Sequence, residues 1–85
     1  MPRIATSESY RTLIRRLAEA RKAMGLKQTE LADSLAKPQS FVSKVEQGER
    51  RLNAVEFLIY SRAMGIDGIK LMQTIADELP ADERI

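Results

Sequence analysis

The sequence contains no cysteine, no histidine and no tryptophan, and among its 85 residues only two tyrosines and two phenylalanines. Each absence closes off a class of function. Without cysteine there is no disulfide framework, no thiolate metal site and no thiol nucleophile, and nothing calls for an oxidising compartment. Without histidine, the commonest general base and the commonest zinc ligand are missing together. The adjacent acidic pairs Asp77-Glu78 and Asp82-Glu83 have neither a histidine nor a glycine-rich phosphate loop to work with. An enzyme is therefore not expected, and neither is a metal or other cofactor. Long apolar runs are lacking too. The longest aliphatic or aromatic stretch is Phe57-Leu58-Ile59-Tyr60, far short of the roughly 20 residues a membrane span needs. No membrane association is expected, and the chain should reside in the cytoplasm.

What is present fits a small globular protein, with 44% apolar and 31% charged residues. The length predicts a single domain over 1–85. A chain this short buries little more than about 60% of its unfolded surface, so its core is thin and self-association would help it. The formal net charge of +2 conceals a polarised distribution. Residues 1–27 carry seven basic side chains (Arg3, Arg11, Arg15, Arg16, Arg21, Lys22, Lys27) against Glu8 and Glu19, whereas 54–85 carry three basic against six acidic. Such a molecule can turn a basic part to a polyanion, although solvated helix faces would give the same counts.

Gly25, Gly48, Gly65 and Pro38 punctuate the chain, and the segments between them read as helices. Over 7–24 the residues Tyr10, Leu13, Ile14, Leu17, Ala20 and Met24 recur at three- and four-residue steps, giving one buried stripe. Met24-Gly25-Leu26 and Met64-Gly65-Ile66 share one termination chemistry: a left-handed glycine followed by an apolar residue that folds back on the last turn. A second helix over 28–36 turns Leu31 and Leu35 inward, with Ala32 admitting a close neighbour, and a third over 39–47 buries Val42 and Val45. Asn53 and Glu56 form the start of a fourth, with Phe57, Tyr60, Ser61 and Met64 on one face and Val55, Leu58 and Ile59 on a second. A fifth over 67–79 carries Ile69, Met72, Ile75, Ala76 and Leu79, before Pro80 opens a charged tail, 80–85, expected to fray. No strand pattern occurs. The predicted fold is an all-α, compact five-helix domain.

The informative stretch is 26–50: two short helices joined by a tight turn, the second apolar on its inner side and carrying amide, hydroxyl and ammonium groups outside. Those groups read base edges in duplex DNA, since an amide bonds adenine bidentately and lysine approaches guanine acceptors. Gln28 and Ala32, Gln39-Ser40-Phe41-Val42-Ser43-Lys44-Val45-Glu46, and Gly48-Glu49-Arg50-Arg51 together resemble the Cro/CI-type (XRE-like) helix-turn-helix family of transcriptional regulators, over about 10–72. The resemblance implies a lambda-repressor-like DNA-binding domain with the helix-turn-helix at helices two and three. Residue by residue, it implies that Gln39, Ser40, Ser43 and Lys44 face bases or nearby phosphates in the major groove, and that Gln28 bonds a phosphate and braces Gln39. Lys27, Lys37, Arg50 and Arg51 would hold the sugar-phosphate backbone, or stand as solvated loop charge. Arg21 and Glu46 match an ion pair that ties helix one to the end of helix three and orients the reading helix.

The sequence departs from the family pattern at Ala36, where the turn usually has glycine, and at Lys27 and Pro38, where serine or threonine often caps helices two and three. Phe41 either touches a thymine methyl or covers the junction of helices three and four. One reading helix contacts few base pairs, each good bidentate contact contributing about 1 to 3 kcal/mol. A homodimer on double-stranded DNA with inverted half-sites would double the contacts. Val55, Ile59, Met72, Ile75 and Leu79 are the candidate dimer interface, or else monomer core, the role expected for Leu58 and Ile69. The same apolar excess would serve a protein partner if the chain were instead an antitoxin or accessory subunit.

Overall fold

The computed structural model describes residues 7–85 and places five helices in order: α1 Glu8–Ala23, α2 Gln28–Ser34, α3 Gln39–Glu46, α4 Ala54–Met64 and α5 Gly68–Glu78. Arg3 lies outside the described residues. Each start has a local cause. The Ser7 Oγ accepts from the Tyr10 N–H, and the Asp67 carboxylate accepts from the Ile69 and Lys70 N–H groups. Asn53 and Glu56 form the reciprocal capping box expected of them, at 2.8 and 3.0 Å. At α2 the missing hydroxyl cap is partly replaced, because the Glu30 carboxylate accepts the Lys27 N–H at 2.8 Å.

The ends of α1 to α4 share one device. In each, a residue within two positions of the last helical residue has positive φ, namely Gly25 (73°), Ala36 (55°), Gly48 (79°) and Gly65 (78°). Its N–H and that of the following residue turn back onto the last carbonyls: Ala36 and Lys37 donate to Asp33 and Ala32, as Gly25 and Leu26 donate to Lys22 and Arg21. These are Schellman terminations, and the second is closed by alanine in a conformation that disfavours any side chain.

Leu17, Leu31, Ala32, Val42, Val45, Phe57, Tyr60 and Met64 form the core, contributed by α1 to α4. The predicted inner face of α4 is fully buried, Ser61 included, whereas Met24, expected on the α1 stripe, is exposed. Helix α5 closes on α4 through Gly68, whose absent Cβ would lie 2.9 Å from Ser61 Oγ and 3.3 Å from the Phe57 ring. Arg16 fastens α1 to α5 through Glu78 and Thr74.

Three further expectations are corrected. Ile75, a candidate for the dimer interface, is only 8% exposed and belongs to the packed interior of the protomer. Leu58 and Ile69, expected in the core, are 44% and 67% exposed. Beyond Pro80 the chain runs back to the start of α1, with the Glu83 carboxylate accepting from Ser7 and Ser9 at 2.8 Å each. Helix α5 turns Gly68, Leu71 and Ile75 inward and leaves Ile69, Met72 and, just past its end, Leu79 outward, with its close approach to α4 at Gly68.

Candidate nucleic-acid interface

The α2–α3 pair is held to α1 by a chain of hydrogen bonds that begins in the interior and ends on the surface. Arg21, 7% exposed, donates through Nε and Nη2 to the two oxygens of Glu46 (2.6 and 3.2 Å) and through Nη1 to the Leu26 carbonyl (2.7 Å). A guanidinium this deep requires its carboxylate, and losing either partner strands a charge. Glu46 can only accept, so Gln28 must present its amide nitrogen to it, at 2.9 Å. The Gln28 oxygen is then left facing Gln39, which donates Nε2 to it at 2.6 Å. The ion pair thus fixes the direction of both amides. Gln39 keeps one N–H and its carbonyl oxygen, the donor and acceptor that bidentate recognition of adenine requires.

The other predicted base readers share that face. Ser40 and Lys44 are exposed, and Ser43 is half-buried with its hydroxyl oxygen accepting from Gln47 Nε2 at 3.2 Å, which leaves the hydroxyl proton free to donate. Among the described residues Lys44 makes no ion pair. Gln47, one turn beyond Ser43, extends the same face, and that spacing alone places it there.

The flanking cations divide. Lys27 is exposed, whereas Lys37 lies 5.5 Å from the centre of the Phe41 ring and Arg51 lies 5.0 Å from that of Tyr10. Arg50 is committed inside the protomer: it stacks over Phe41 at 5.2 Å, forks onto Glu56 at 2.8 and 3.2 Å, and donates to the Arg51 carbonyl. These hydrogen bonds from Arg50, with that from the Asn53 N–H, hold the Glu56 carboxyl down at about 2 and raise the Arg50 guanidinium. Phe41 is half-buried beneath the two cations, as a cover over the α3–α4 junction. The candidate interface residues Val55 and Ile59 on α4, Met72 on α5 and Leu79 at its C-terminal end are exposed, away from the core.

A model of the Helix-turn-helix family matches residues 17–71, which include the whole relay from Arg21 to Glu46 and the α4 packing beneath it. The chain belongs to the XRE-like helix-turn-helix family. It is similar to an XRE-family like protein from Pseudomonas syringae pv. tomato, at 44% identity over 85% of this chain and 88% of that one, with a TM-score of 0.81. It is also similar to the restriction-modification controller protein of Aeromonas hydrophila, at 34% identity over 76% and 99% of the two chains, TM-score 0.63. The clp gene regulator of C. glutamicum, 17% identical over 91% and 100% with a TM-score of 0.73, shares the fold. No curated protein sequence matches. As a member of the XRE-like family the chain is a DNA-binding transcriptional regulator. Among the described residues no helix is long and apolar enough to cross a membrane.

Proposed function

We propose that the chain is a cytoplasmic homodimeric repressor or autoregulator that seats α3 in the major groove of an operator with inverted half-sites. The observation that carries this reading is the Arg21–Glu46–Gln28–Gln39 relay, which presets the first residue of α3 beside Ser40, Lys44 and the hydroxyl proton of Ser43. A side chain already held in its binding geometry loses less conformational entropy on contact. Lys27, Lys37 and Arg51 would grip phosphates on either side, and Arg50 would support that grip by ordering the loop. The apolar side chains Val55, Ile59, Met72 and Leu79 supply the surface for a second copy. The similarity to a restriction-modification controller protein supports control of gene expression as the task.

The test is fluorescence anisotropy of the purified protein on duplexes tiling the DNA upstream of its coding sequence, at two salt concentrations. One tile should bind about a thousandfold more tightly than the rest. With about three phosphates neutralised per subunit, log affinity should fall with log salt at a slope near −5 for a dimer. Uniformly weak, salt-sensitive binding to every tile would overturn sequence-specific regulation. The exposed apolar rows of α4 and α5 would then favour a protein-binding module, such as an antitoxin or accessory subunit.

A further inference from the structure

The reading face does not stop at the end of α3. Beyond Gln47 it opens into a groove between α1 and the α3 terminus, lined by Arg11, Arg15, Ala18, Glu46, Gln47 and Gly48, floored by Ile14 and holding about 550 Å3. The groove is open to solvent, and the one carboxylate among its described lining residues, Glu46, is paired with Arg21. Arg11 is engaged with Glu8. Arg15 is exposed and makes no hydrogen bond or ion pair among the described residues, Glu19 one turn along included. Gln47 spends one amide proton on Ser43 and has a second to give. The groove therefore presents two donors with capacity to spare, one of them the cationic Arg15 on α1, next to the row of side chains that would read bases.

We infer that this groove is a further phosphate-binding site, in which Arg15 and Gln47 take a backbone phosphate of the duplex just outside the segment read by α3. The ligand chemistry follows from the donors. A guanidinium with a neighbouring amide N–H and no unpaired carboxylate suits a phosphodiester oxygen, and a groove wide open along its length suits a continuous strand better than an enclosed small anion. Ala18 matters because its small side chain leaves the groove open for the strand. The contact carries no base information; it lengthens the footprint and sets the register of α3. This inference rests on the reading of α3 as the helix that enters the groove.

The experiment compares wild type, Arg15→Ala, Arg15→Lys and, as an exposed cation outside the groove, Lys22→Ala, on the best duplex found by selection from a random library, across a salt series. Arg15→Ala should bind about tenfold more weakly at moderate salt, with a log–log slope shallower by about 0.9 per bound subunit and the same ranking of base substitutions. Arg15→Lys should keep the wild-type slope and Lys22→Ala the wild-type affinity. Because Arg15 is exposed and has no polar partner among the described residues, all variants should melt as wild type does. Unchanged affinity and slope in Arg15→Ala, while Lys44→Ala still alters base preference, would overturn the phosphate site and leave α3 as the reader. Failure of wild type to select any duplex would overturn both.

Discussion

At the scale of single residues, two positions carry opposite lessons about what a sequence pattern permits. Ala36 stands where the Schellman termination of α2 demands positive φ, and it adopts 55° to keep the two carbonyl contacts of that turn. The left-handed region costs an L-residue about 1 to 2 kcal/mol, against a loss of about 0.5 to 1 kcal/mol from the greater freedom of glycine in the unfolded chain. The first term is larger. Ala36→Gly should therefore stabilise the protein by about 0.5 to 1 kcal/mol, seen as a rise in melting temperature of roughly 2 to 8 °C for a domain of this size. A lower melting temperature would mean that the turn holds alanine without strain. Arg50 is the converse case. It sits in a basic loop where a phosphate contact is the natural reading, yet it is folded onto Glu56 and Phe41. Nothing periodic connects positions 50 and 56, so only the path of the α3–α4 loop brings them together.

At the scale of helices, most of the fold was legible, because amphipathic spacing and punctuation agree. Gly25, Gly48, Gly65 and Pro38 mark real boundaries, and Phe57, Tyr60, Ser61 and Met64 form the inner face of α4 as their spacing indicates. The rotation of α5 is not legible from spacing, because two stripes compete there: Ile69, Met72 and the C-cap Leu79 are the larger apolar set, but Gly68, Leu71 and Ile75 are the set that packs. A hydrophobic count cannot weigh a glycine. What decides the rotation is steric, the contact of Gly68 with Ser61 and Phe57. Gly68→Ala would put a methyl group 2.9 Å from Ser61 Oγ and 3.0 Å from Ser61 Cβ, and overpacking of this kind costs about 1 to 3 kcal/mol. Thermal melts should show that loss in the wild-type background and a smaller one in Ser61→Ala, where the oxygen is gone and the Cβ contact remains. Equal losses in the two backgrounds would mean that α5 is positioned elsewhere, for instance by the Arg16 contacts with Glu78 and Thr74. The reading face was likewise partly legible. Its side chains follow from the outer spacing of α3, but the relay that orients Gln39 joins residues 21, 28, 39 and 46 on three helices and was accessible only through family resemblance.

At the scale of the whole molecule, the question is what covers the side chains that the protomer leaves bare. Val55, Leu58 and Ile59 on α4, Ile69 and Met72 on α5 and Leu79 at its end are exposed by 38% to 67%, and the two helices pack on each other. Apolar rows on adjoining helices suit a two-fold contact, in which the same patch meets itself. The corrected place of Ile75 sharpens the experiment. A charge at Ile75 would enter the interior and destabilise the protomer, so loss of DNA binding there would say nothing about dimers. Met72 lies on the same helix and is 38% exposed, so Met72→Asp should leave the helical content and melting of the protomer nearly intact while abolishing self-association. Linking two reading heads raises apparent affinity by roughly 100-fold or more over either alone. Met72→Asp should forfeit that factor on a duplex with two half-sites and bind a single half-site as wild-type monomer does. Sedimentation of the free protein and anisotropy on the two duplexes separate the cases. A Met72→Asp protein that still sediments as a dimer would move the interface off this surface. A wild-type monomer that gains nothing from the second half-site would make the bare rows a site for a different partner.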